Sequence, residues 1–114
     1  MAANTHFRFD REEWLLFGSA LNEVLHGFAV RDFENTIGES KATVEKLRAD
    51  LDPSRDTGEL TLQLLNTRIV RNALRETIRE LGAEEFHART GYGFEHGKVI
   101  LARLDDLIAG CTSH

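Results

Sequence analysis

Apolar positions along this chain fall into short alternating runs and longer stretches at helical spacing, and they do so twice. "FRF" at Phe7–Phe9 and "LTL" at Leu60–Leu62 alternate apolar and polar residues, which predicts two short strands. After the first, Asp10 offers an N-cap and Glu13, three residues on, completes a capping-box pattern. Trp14, Phe17, Leu21, Val24 or Leu25, and Phe28 then recur at spacings of three and four, an amphipathic helix that Gly27 is placed to end. After the second, Leu65, Ile69, Val70, Ala73, Leu74, Thr77, Ile78 and Leu81 form a broad apolar face, closed by Gly82. Each half next predicts one helical turn carrying a buried aromatic, Phe33 or Phe86. A glycine follows five residues later, Gly38 or Gly91, where positive φ is needed. A final helix completes each half. Ser40 caps the first, with Val44, Leu47 and Leu51 toward the core; in the second, Val99, Ile100, Leu104 and Leu107 or Ile108 face inward.

The two halves align without a gap at an offset of 53 positions (Ala20 onto Ala73). Leu21, Glu23, Phe33, Gly38, Ala49, Leu51 and Asp52 then also fall on identical residues, eight identities where composition alone gives roughly three. The pattern predicts tandem duplicated β-α-α units, residues 7–52 and 60–105, joined by a connector at 53–59 within a single domain, 1–114. Two copies are too few for a solenoid, so they are expected to close about a pseudo-twofold axis, with the two strands paired as a short antiparallel ribbon. The fold class is mostly α (α+β).

Composition narrows the function classes. Hydrophobic content of 41% and charged content of 29% are those of an ordinary globular protein. A formal net charge of -5 disfavours nucleic-acid binding, which draws on phosphate neutralisation, and suits a basic partner. The stretch "MAANTHFRFD" has no apolar run of the secretory type, and no segment approaches the roughly 20 apolar residues that span a bilayer. The single cysteine, Cys111, agrees with a reducing compartment, and a cytoplasmic location is expected.

Candidate chemistry is sparse. "GYGFEHGK", Gly91–Lys98, resembles a phosphate loop but has the wrong glycine spacing and no Ser or Thr after Lys98, so it reads as a glycine-rich turn into the last helix. It is also where the halves diverge, since the first copy has "GESKATVEK" there. His6, His26, His87, His96 and His114 lack the tight ligand spacing of a zinc site. Neither a nucleophile elbow nor a carboxylate pair stands out. No catalytic residue, metal ligand or cofactor is therefore assigned.

Arg68, Arg71, Arg75 and Arg79 form a narrow stripe opposite the apolar face. Four guanidiniums so placed repel one another unless they find anions. They read either as a solvated face balanced by Glu76 and Glu80 or as a docking surface for an acidic partner or phosphates. The matching first-half positions are Leu15, Gly18, Asn22 and His26, so the outer faces of the two halves keep different company.

"ALNEVLHG" and "DFENTIG", with "EEFHARTGYGFEHG", are similar to phrases of small uncharacterised bacterial proteins that carry ALNEV-like and EFxTRxG-like motifs. This chain departs at "FENTIG", which lacks the arginine that "FHARTG" has as Arg89. The resemblance implies a compact bacterial accessory protein, a class in which immunity proteins against toxins are frequent. The leading expectation is a non-enzymatic protein-binding module of immunity or antitoxin type, monomer or homodimer, whose partner is another protein such as a basic toxin. Its docking residues would be Arg68, Arg71, Arg75, Arg79, Arg89, Tyr92 and His96. The alternative is a small-molecule or phosphate-binding regulatory domain using Arg89, Tyr92 and His96 in the 89–98 loop.

Overall fold

A computed structural model describes residues 5–52 and 60–112; the expected connector at 53–59 and His114 lie outside the described residues. The elements run β1 (His6–Arg8), α1 (Arg11–Asn22), a π-helical turn (Glu23–Gly27), α2 (Phe33–Ile37), α3 (Lys41–Asp50), β2 (Thr61–Gln63), α4 (Leu64–Thr90) and α5 (Phe94–Thr112). The molecule is mostly helical, with β1 and β2 paired antiparallel in the register His6↔Gln63, Phe7↔Leu62 and Arg8↔Thr61. A further bond from the Phe9 amide to the Leu60 carbonyl, 2.9 Å, extends the ladder by one rung.

Local chemistry explains where the helices begin. The Asp10 carboxylate accepts from the Glu13 amide at 2.7 Å, and the Glu13 carboxylate accepts from the Asp10 amide at 3.0 Å, so the capping box that starts α1 is complete. Ser40 Oγ accepts from the Thr43 amide at the start of α3. Gly38 and Gly91 end α2 and α4 with φ of 104° and 81°, as the sequence requires. Inside α4, Gly82 at φ 72° and ψ 179° breaks the helix into two pieces, 64–81 and 83–90, so the second half also runs strand, long helix, short helix, final helix.

The core lies between α1 and α4. Leu16, Phe17, Ala20 and Leu21 from α1 and Ile69, Val70, Ala73 and Leu74 from α4 are almost fully buried in one cluster. Each large side chain so buried contributes about 1.5–3 kcal/mol. Thr67, Thr77 and Thr90 share this interior, and each hydroxyl donates to the carbonyl four residues back (Gln63, Ala73 and Phe86) at 2.7–2.8 Å. Among the described residues no buried side-chain polar atom is left without a partner. Phe86 seats its ring on α5 at Gly97, where a Cβ would meet ring carbon Cζ at 2.6 Å; only glycine fits there.

Two residues read as core-facing are not. Leu65 is 57% exposed and Val99 is 68% exposed. Each sits five residues before a fully buried one, Val70 and Leu104, a rotation of roughly 140° at 3.6 residues per turn. Apolar character alone does not carry that phase.

Phe33 and Phe86 anchor the short helix of their halves; Phe86 is fully buried and Phe33 nearly so. Replacing either with alanine should cost about 3–5 kcal/mol in urea titration, and a loss well under about 1 kcal/mol would remove that residue from the anchors.

Candidate protein-binding surfaces

The first piece of α4 carries the arginine stripe on one side, but its members have different surroundings. Arg71 is committed to the fold: its Nε donates to Asn72 Oδ1 at 2.7 Å and its terminal nitrogen to Asp105 on α5 at 3.0 Å. Arg75 and Arg79 share one carboxylate, Glu76, at 3.6 and 3.3 Å, and their side chains are 42% and 73% exposed. Arg68 is half-buried and has no ion-pair partner among the described residues. Arg75 and Arg79 line a cleft of about 540 Å³ with Arg31 and Asp32, which lead into α2, and Asn35 and Thr36 of α2 itself. Asp32 enters that helix with φ 50°, and Asn35 donates to its carboxylate at 2.8 Å.

Arg89 lies elsewhere. From the end of α4 it donates to the Glu23 carboxylate at 3.0 Å, to the Gly27 carbonyl at 3.1 Å and to Glu85 at 3.2 Å. The bond to Glu23 is the main reason its basicity is raised further. Glu23 is itself buried, folded over Gly27, where a Cβ would come within 2.1 Å of its Oε1. Arg89 therefore ties the π turn of the first half to the kinked helix of the second. It also edges a second cleft of about 490 Å³, floored by Leu15, Gly18, Ser19 and Asn22 of α1 and walled by Arg48, Ala49, Leu51 and Asp52 at the end of α3.

Tyr92 and His96 form a third group. Their rings stack with centroids 6.2 Å apart, and His96 stands 3.7 Å from Glu12 at the start of α1. Burial, then the charges of Glu12 and Asp10, push the Tyr92 hydroxyl pKa up. The seven expected docking residues thus divide among three neighbourhoods. In the 89–98 loop, Gly91 ends a helix and Gly97 seats Phe86. Among the described residues no group of three His, Cys, Asp or Glu side chains could hold a metal, and no helix is long and apolar enough to cross a membrane.

Sequence reading missed Glu23, Gly27 and Gly18 as site-forming residues. Glu23 carried one signal, its identity with Glu76, whereas Gly27 read only as a helix end. No family model, curated protein or solved structure matches the chain.

The Gly27 contact yields a test. Gly27→Ala should displace the Glu23 carboxylate and detach Arg89, lowering stability. In a Glu23→Ala background the same substitution should cost less, with a coupling of about 1 kcal/mol or more in a denaturation double-mutant cycle. Additive effects would show that the carboxylate and the glycine are not packed as described.

Proposed function

We propose that the chain is a non-enzymatic protein-binding module of immunity or antitoxin type, built from two copies of one β-α-α unit related by a pseudo-twofold axis. The single observation that carries this reading is that interior positions match between the halves while the outer faces do not. At the 53-residue offset, α1 and α4 begin at equivalent residues (Arg11, Leu64), as do α3 and α5 (Lys41, Phe94). Gly38 and Gly91 are equivalent left-handed caps. The ribbon includes the equivalent pair Arg8↔Thr61. Every buried position from Leu62 to Leu104 has a buried counterpart in the first half. The reverse fails only at Glu13 and Glu23, which accept arginines 103 and 89 from the other half.

Folding requirements keep such interiors alike; of the outer differences, Arg71 is used within the fold through Asn72 and Asp105, which leaves the more exposed ones for another role. The stripe of Arg68, Arg71, Arg75 and Arg79 stands where the first half has Leu15, Gly18, Asn22 and His26. Of these arginines, Arg75 and Arg79 are the exposed pair with one carboxylate between them, and arginine is among the residues that most often dominate binding energy. They are the proposed contact residues on this face.

Charge reversal tests the face. Arg75→Glu with Arg79→Glu should change stability by no more than about 1 kcal/mol, as for exposed ion pairs. It should abolish co-purification of the partner from the source cell. Retained capture after that reversal, with loss on Asp32→Lys and Glu34→Lys, would move the site to the acidic first half.

A further inference from the structure

The cleft between α2 and the first piece of α4 is open because a tie present at its counterpart is missing. At that counterpart, Arg89 crosses from the second piece of α4 to the π turn and bonds Glu23 and the Gly27 carbonyl. At the 53-residue offset Arg89 corresponds to Thr36, and Glu23 to Glu76. Thr36 is too short to cross, and its hydroxyl donates instead to the Arg31 carbonyl at 2.8 Å. Glu76 takes its compensation from its own helix, with Arg75 at 3.6 Å and Arg79 at 3.3 Å. The gap that remains is the cleft of about 540 Å³, with Arg31 on the α2 side and Arg75 and Arg79 on the α4 side. Its volume falls in the range of sites that hold a ligand group. Thr5, Leu51 and Leu60, next to the undescribed residues, all lie at the ribbon. Arg79 is fifteen residues past Leu64, which bonds Thr5, so about 22 Å of helix separates the cleft from that end.

We infer that this cleft receives an aspartate or glutamate side chain of the partner protein, its carboxylate bridging Arg31 to Arg75 and Arg79. The inference deepens the proposed binding face and rests on that reading. Arg31 is exposed and has no ion-pair partner among the described residues, so its donor fork is open to a ligand. Arg75 and Arg79 spend few of their donors, since both lean on Glu76, whose side chain is only 16% exposed. A guanidinium takes a carboxylate through two parallel N–H bonds, a geometry that a carboxylate from outside can complete. A cation entering the cleft would meet three guanidiniums, while Asp32 is already held by Asn35 at 2.8 Å and Glu76 by its arginines. Glu80 is the competing group: it lines the cleft, is exposed and has no ion-pair partner among the described residues. The chain's net charge of -5 does not oppose the ligand, because screening confines exposed charges to about 8–10 Å.

The test uses the full chain, ¹⁵N-labelled, with acetyl-Gly-Glu-Gly-amide, its glutamine and arginine analogues and inorganic phosphate as probes. The glutamate peptide should saturably move the Nε–H resonances of Arg31, Arg75 and Arg79 and the amide resonance of Thr36. The glutamine and arginine peptides should leave them in place. Arg31→Gln should keep the native spectrum and weaken the response about tenfold or more, the loss of one charge-assisted contact. Glu80→Gln should strengthen the response by removing the competing carboxylate. The proposal falls if the glutamate peptide moves nothing, if either analogue acts like it, if R31Q leaves the response intact, or if E80Q does not strengthen it. It also falls if R31Q loses the native spectrum, since Arg31 would then serve the fold, or if phosphate binds more tightly than the peptide. Failure of the underlying face looks different: partner capture survives Arg75→Glu with Arg79→Glu. If that reversal abolishes capture while the glutamate peptide moves nothing, the face stands and the carboxylate inference alone is overturned.

Discussion

The packing of α1 against α4 is the constraint on which everything else depends. Each helix presents two large residues beside an alanine, Phe17 and Leu21 with Ala20, and Val70 and Leu74 with Ala73, all at or near zero exposure. The small residues let the backbones approach while the large ones fill the space on either side, which is how helices reach interior density. Within its own half α1 packs against α3 and the π turn, and the larger contact is with α4. The remaining elements close around the pair: the ribbon caps one end, and α5 covers α4 and seats Phe86 on Gly97.

Polar contacts between the halves then fix how the two stripes meet. Asn72 donates to the Ile37 carbonyl at 2.8 Å, Arg89 reaches Glu23, and Arg103 reaches Glu13 while lying over the Phe9 ring. The arginines are partly exposed and the carboxylates are not, so these pairs add little net stability. Breaking one, however, would leave a buried carboxylate uncompensated. They set register and angle, and burial supplies the driving force.

Much of this was legible in the sequence because it rests on local signals. The Asp10–Glu13 capping box, the Ser40 cap, the left-handed glycines at 38 and 91 and the antiparallel ribbon all follow from residue types at fixed spacings. What was not legible depended on three-dimensional phase. Leu65 and Val99 are apolar but lie on the wrong side of their helices, which apolar content alone does not reveal. Arg71 and Arg89 looked like free surface charges because their partners, Asp105 and Glu23, stand 34 and 66 residues away. Glu23 itself read as an ordinary helix carboxylate, and only the fold of the chain over Gly27 makes it a buried joint.

Mutual burial between the halves is tested most directly by separating them. Fragments covering residues 1–52 and 60–114 should each show little helical signal and no cooperative melting when alone. Mixed at equal concentration, they should regain the helical signal and the near-ultraviolet signal of Trp14, with a single cooperative transition. A fragment that melts cooperatively by itself, with Trp14 or the 60–114 core already ordered, would contradict the dependence of each half on the other.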